Sequence, residues 1–386
     1  MSYKSFSNLV IVLVLLSLYL ENYGVEGGIS KEEDMELDKK LKILNKPPVK
    51  SIKTTLGDTY DCINIYEQPS FDHPLLRNHK IQMKPTVIQG KEIDGPTSSM
   101  ISSVVRSKID GCPPGTVPIR RTTKEDLVNA KPVSNRIVHR HYVLAQPVAE
   151  KLYYGGRARI SIATPIVGPN QLSTGQIWIQ NGPAEELNSI EFGWAVYPNL
   201  FGDNATRVFG LWTADGFKET GCYNMLCPGF IQIHPRYTFG EHLIGGTYGG
   251  EQRAFDFSVH RDPESGNWWF INGVENTNIG YWPKELFTHL ENNASVISYG
   301  GIAGGDLGDS FPPMGHKHLP VPDPKYTTCM TDMKVAEKHG IFLDFDTSKV
   351  QLIRDAEASC YDLIFYGKNT IHGIMMFFGG PGGDCT

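Results

Sequence analysis

Along most of the chain, apolar and polar residues alternate in short runs separated by Gly-Asn, Asn-Gly, Asp-Gly and Gly-Gly turns. A period of two predicts β-strands. The runs fall at 158–163, 176–180, 189–196, 207–213, 230–233, 254–260, 267–272, 295–299 and 371–378, with an earlier one at 60–66. So many short strands predict an all-β fold, an antiparallel two-sheet β-sandwich. Two stretches read differently. Residues 31–46 carry Met35, Leu37, Leu41 and Leu44 at near-helical spacing, stopped by Pro47 and Pro48, and 283–290 reads as a short helix with Pro283 in its first turn. One strand is anomalous. Ile190, Phe192, Trp194 and Val196 alternate onto a core face, while Glu191 points the other way beside Gly193 and Ala195. Small neighbours leave room for a substrate backbone over the carboxylate, so Glu191 is a candidate catalytic base. The competing reading is a strand carboxylate that is solvated or paired with an arginine.

At 386 residues the chain has room for about two or three domains. Its 40 glycines, 25 prolines and 11% aromatics suit a turn-rich, aromatic-cored β protein. A net charge of −6 without a Lys/Arg stripe argues against a nucleic-acid partner. Lys4 followed by the apolar run 9–20, too short to span a bilayer, predicts a secretory signal peptide over 1–28, cleaved between Gly24 and Gly28. No later apolar run is long enough to cross a membrane, so the mature protein is expected to be soluble and secreted.

In that compartment cysteines tend to pair. Cys222 and Cys227 flank a tight connection, Cys360 and Cys385 can tie the C-terminal hairpin, and Cys62 and Cys112 share the N-terminal third. The seventh, Cys329, is left over or displaces one of these, because sequence leaves connectivity open. No Cys/His set has zinc spacing, so no metal and no cofactor are expected. Asn204-Ala205-Thr206 and Asn293-Ala294-Ser295 are glycosylation sequons, at Asn204 and Asn293.

Several polar residues have plain readings. His316 and His318 lie in a Pro/Gly loop, Glu185 and Glu186 in a turn, and Glu285 on the short helix, all expected to face solvent. Trp268 and Trp269 read as core and groove wall. The tail Gly379–Gly383 lacks the Lys-Ser/Thr of a P-loop and reads as a turn. There is no nucleophile elbow, zinc helix or dinucleotide fingerprint. Arg120-Arg121 ends a rigid Pro-rich segment, and 122–139, polar and basic, is expected to be open to proteolysis.

Longer strings carry a resemblance. They are LNKPPVKSI (44–52), DC (61–62), QPSFDHPLL (68–76) and CPPGTVPIRR (112–121), then LNSIEFGW (187–194), LWTADG (211–216), TGCYN (220–224), CPGF (227–230), GNWW (266–269) and GYWP (280–283). On these the chain resembles the plant neprosin family, secreted prolyl endopeptidases of the glutamic class made as zymogens. The resemblance implies an activation domain over 29–121, a linker over 122–135 and a peptidase β-sandwich over 136–386. It also implies a proline-containing peptide substrate and an activating protease as partners. In such proteins one glutamate deprotonates a water while a second, kept protonated, polarises the scissile carbonyl and feeds the leaving nitrogen. Glu191 matches the first by its place in LNSIEFGW. The second follows a Gly-Gly pair, and here Gly300-Gly301 is followed by Ile302. Asp306, in a glycine-rich loop, is a poor substitute, whereas Gln176 or Gln232 offers an amide. Two readings follow: a prolyl endopeptidase impaired at its second acid, or a non-catalytic sandwich that binds peptide or cell-wall material in the same cleft.

Overall fold

The structure, a computed structural model, describes residues 30–87, 101–103, 110–129, 138–148, 151–273, 276–306 and 308–385. The expected signal peptide and residues 130–135 of the expected linker lie outside them. Among the described residues no helix is long and apolar enough to cross a membrane. The chain divides into residues 1–40 and 41–386. The described part of the first unit is the start of helix α1 (Lys31–Leu44). Ser30 caps it, its Oγ accepting from Glu33 N at 3.1 Å, and Glu32, Glu33 and Asp34 occupy the first turn where the helix dipole favours acids.

The second unit opens with a three-stranded antiparallel sheet, ordered β1 (Lys50–Lys53), β2 (Thr59–Asn64) and β4 (Thr116–Arg120). The Cys62–Cys112 disulfide ties β2 to the segment before β4. Strand β3 (Ile101–Ser103) instead runs parallel to β12 (Gln252–Arg261). Two large sheets follow. One has seven strands in the order β10 (Cys222–Tyr223), β9 (Arg207–Thr213), β8 (Asn188–Val196), β7 (Leu172–Asn181), β15 (Val296–Asp306), β5 (Val138–Pro147) and β18 (Val350–Arg354). The other runs β11 (Ile231–Gln232), β14 (Thr277–Trp282), β13 (Trp268–Asn272), β12, β6 (Gly155–Ser161), β16 (Thr328–Lys338), β20 (Gly373–Gly379) and β19 (Asp362–Asn369), with β17 (Ile341–Leu343) on β16.

The two sheets pack through a continuous aromatic and aliphatic core. Ile190, Phe192, Trp194 and Val196 are fully buried in it, as their alternation requires. Phe192 meets Phe270 of the facing sheet edge-on at 5.7 Å, and Trp194 Nε1 donates to Ser161 O at 2.9 Å, tying β8 to β6 across the sandwich. Each such side chain contributes about 1.5–3 kcal/mol through burial alone.

Three expectations about elements fail. The helix over 283–290 shrinks to a single 3-10 turn, Lys284–Leu286. Asn188 Oδ1 accepts from the backbone N–H groups of Thr288, His289 and Leu290, so those donors are spent outside a helix. Of the open 122–139 segment, 124–129 forms helix α2 (Lys124–Asn129), and Thr122 and Asp126 are buried. Strand β15 extends to Asp306, which is therefore a strand end paired with Val138 rather than part of a glycine loop.

Candidate functional site

Glu191 does not face water. All nine residues of β8 are buried, and Glu191 itself is 6% exposed on the sheet face turned away from the core. Gln176 Nε2 donates to its Oε2 at 2.7 Å and Ser189 Oγ to its Oε1 at 3.2 Å, with Trp178 a further donor. Gly193 makes the first contact possible. It pairs with Gln176, and a Cβ there would lie 2.1 Å from Gly175 O, so β7 and β8 approach too closely for any side chain. Burial pushes the Glu191 carboxyl above its ordinary 4.5, against the opposing pull of Arg140 and these three donors.

The register places Glu191, Gln176 and Ile302 on one diagonal. Gln176 is opposite Gly193 on β8 and Gly300 on β15, so Glu191 and Ile302 are its diagonal neighbours on either side. Diagonal neighbours stand roughly 7–8 Å apart. Ile302 is 4% exposed, packed in an apolar cluster with Leu144, Leu172 and Trp178, and its N–H donates to Thr174 Oγ1 at 3.1 Å.

A second charge shares this face, and sequence reading passed over it. Arg140, Tyr142 and Leu144 alternate on β5, with Tyr142 opposite Ile302 and Arg140 opposite Gly304. The Arg140 guanidinium faces Tyr223, Tyr142, Glu191 and Tyr197. Tyr223 lies on β10, five strand spacings from β5. In a flat sheet that would be roughly 24 Å. The sheet is therefore curved, with this face concave, and Arg140 and Glu191 come within electrostatic reach of each other on it. Its side chains pack closely enough to leave Glu191 only 6% exposed. The signal was the Arg-x-Tyr-x-Leu alternation at 140–144, hidden by the basic stretch before it.

The remaining candidates scatter. Gln232 sits on the ten-stranded sheet, bonded to Gln68 and His234, and is not brought to Glu191. His318 is exposed, but His316 is half-buried with its ring 3.2 Å from Gln252 Oε1, which corrects its expected solvation. Glu185, Glu186 and Glu285 face solvent, and both Trp268 and Trp269 are buried. Cys222 is bonded to Cys227 and Cys360 to Cys385, while Cys329 is buried and free, its thiol pushed up to about 12 by burial. Asn204 is exposed and Asn293 half-buried. Among the described residues no three His, Cys, Asp or Glu side chains converge as a metal site.

A family model described as Neprosin matches residues 169–381, and one described as Neprosin activation peptide matches 51–151. The chain belongs to the Neprosin family. Among solved structures it is similar to scytalido-glutamic peptidase with a peptide-based transition state analog, at 14% identity and TM-score 0.36, over 63% of this chain and 98% of that one. It is also similar to SCP-B, a member of the eqolisin family of peptidases in complex with the tripeptide Ala-Ile-His, at 12% identity and TM-score 0.35, over 62% and 98%.

The Neprosin activation-peptide match runs into β5, which is hydrogen-bonded on both sides, to β15 and β18, so this part of it is built into the sandwich. The earlier part clasps the sandwich from outside. Gln68 Oε1 accepts from Gln232 N at 2.8 Å and Gln68 Nε2 donates to Gln232 O at 3.0 Å, so one side-chain amide mimics a neighbouring strand at the β11 edge. Ser70 Oγ donates to Phe230 O. Asp58 takes Arg207 Nη1 at 2.8 Å and Arg120 Nε at 2.9 Å. Arg120 also binds Asp126, and Arg121 binds Asp61, so the dibasic pair is held in ion pairs. Arg207 is 1% exposed, and Arg207→Met, which strips Asp58 and Asp203 of a buried partner, should lower unfolding free energy by about 3 kcal/mol in urea denaturation. Burial raises the Asp58 carboxyl, but Arg207 and Arg120 outweigh it and hold it below its ordinary 3.8. This depressed acid therefore adds stability that is present above about pH 4 and lost as pH falls through the folded value.

Proposed function

We propose that this Neprosin chain is a secreted peptidase of the glutamic class that cleaves polypeptides after proline and is latent until its N-terminal segment is severed. The observation that carries the reading is the Glu191 carboxylate, buried on the concave outer face of the seven-stranded sheet and oriented by Gln176 and Ser189. A desolvated carboxylate with a raised pKa is a stronger base than one in water and suits the abstraction of a proton from an attacking water. The rings of Tyr142, Tyr197 and Tyr223 on this face support the proline preference, because proline-rich backbone docks on aromatic-lined surfaces. Family membership supports the peptidase class and the latency, and the predicted signal peptide supports secretion.

A second reading has one specific support. Ile302 fills the second acid's position with a buried aliphatic side chain, which fits a face that binds peptide and leaves it intact. Purified full-length protein, before and after limited trypsin treatment, incubated with a proline-containing peptide and followed by mass spectrometry, separates the two. New fragments ending in proline are expected. Intact peptide that still binds the treated protein would overturn the peptidase reading in favour of the second.

A further inference from the structure

The guanidinium on this concave face has a chemical use. We propose that Arg140 is a catalytic residue: it donates hydrogen bonds to the scissile carbonyl oxygen and holds the oxyanion of the tetrahedral intermediate, the electrophilic role left vacant by Ile302. The inference rests on the peptidase reading above. Its geometry comes from the sheet. Arg140 stands opposite Gly304, where no side chain crowds it, two residues along β5 from Tyr142, which is opposite Ile302. Tyr142 stands beside it on the same face of β5, and the curvature of the sheet brings it within electrostatic reach of Glu191. The Glu191–Gln176–Ile302 diagonal thus has a carboxylate at one end and, beside its apolar end, a fixed cation. Because β5 is an interior strand, Arg140 stays on this face when the outer part of the activation segment leaves.

The step balances with these two groups and water. Glu191 takes a proton from water as the water oxygen bonds to the carbonyl carbon, and the carbonyl π electrons move to oxygen against the Arg140 guanidinium. The intermediate then re-forms the carbonyl and expels the amine, and Glu191 gives the same proton to the leaving nitrogen. Arginine remains charged throughout, since its pKa lies above about 12. It supplies only electrostatic stabilisation, and removing one such donor typically costs about 10²–10³-fold in kcat.

The test compares wild type, Arg140→Lys, Arg140→Gln and Arg140→Gln/Ile302→Glu, full-length and trypsin-treated, on one proline-containing peptide. Expected are a fall in kcat of about 10²-fold for Arg140→Gln with KM little changed, partial activity for Arg140→Lys, and recovery in acid for the double variant, whose new carboxylic acid takes over the carbonyl. The pH profile adds a readout that a structural role would not move. Wild-type activity should rise once, with ionisation of Glu191, and then stay level, whereas the double variant should show a bell. The charged and titratable groups facing Arg140 are Glu191, Tyr142, Tyr197 and Tyr223, with Asp355 behind Tyr142. Wild-type kcat in Arg140→Gln, or an inactive folded double variant when Ile302→Glu alone is active, would overturn the role of Arg140 and leave the peptidase reading standing. Absence of cleavage in wild type would overturn both.

Discussion

Glu191→Gln protein, freed of its activation segment, should cleave a proline-containing peptide at least about 10²–10⁴-fold more slowly than wild type. The substitution keeps the side chain's shape. Its amide oxygen can replace Oε2 and accept from Gln176 Nε2, while its amide nitrogen replaces Oε1 and donates to Ser189 Oγ, which turns from donor to acceptor. What disappears is the ability to take a proton. Loss of activity should therefore come without loss of structure. The sign of the stability change makes the test sharper. Because burial raises the folded pKa of Glu191 above its ordinary 4.5, the protonated form is the one the fold favours. Stability associated with this group is full below that ordinary value and is lost as pH rises through the folded one. At neutral pH the neutral glutamine should melt at the same temperature as wild type or higher, with a gap that closes below about pH 4. A variant that is inactive and also much less stable at every pH would assign Glu191 a packing role.

Ile302→Glu should move activity the other way, raising kcat in acid by about 10²-fold. The new carboxyl would stand on the far side of Gln176 from Glu191, next to the Thr174 hydroxyl and opposite Tyr142. As an acid it can hand a proton directly to the leaving nitrogen, which a guanidinium cannot do. The gain should fade toward neutral pH, where the new carboxyl ionises and no longer donates. It should also carry a stability cost of roughly 1–3 kcal/mol, because a polar group replaces an aliphatic one in the cluster of Leu144, Leu172 and Trp178. Peptide turnover and urea denaturation at pH 4 and pH 7 read both effects. A folded Ile302→Glu protein with unchanged turnover at both pH values would mean that position 302 does not address the scissile bond.

The sandwich was legible wherever alternation was clean, as on β8, where four apolar residues share one face and all are buried. It was hidden where the second face is also covered. Strand β16 mixes Met, Thr, Asp and Lys, and a bulge between Thr331 and Lys334 shifts its register, so its period of two is broken. The failed helix after Pro283 shows the limit of local reading: the amide that claims its N–H groups comes from Asn188, a hundred residues earlier. The candidate site was legible by halves. Glu191 stood out because small residues surround it, and Ile302 because a motif continues past it. Arg140 did not, because its partners lie on strands far away in sequence and only curvature of the sheet brings them together.

The clasp between the activation segment and the sandwich turns severing and freeing into separate events. A cut in the stretch after Arg121 breaks one link of backbone and none of the bonds from Asp58 to Arg207, from Gln68 to Gln232, or from Thr86 to Asp262. The Cys62–Cys112 disulfide lies wholly within the severed piece and tethers nothing across the cut. The nicked molecule is then a two-chain complex, and its lifetime is an off-rate. Dilution acts only by preventing the freed piece from rebinding, and the buried Asp58–Arg207 pair makes the escape rate depend little on salt. The time between the nick and the loss of the segment would be set by that departure, whatever enzyme made the nick.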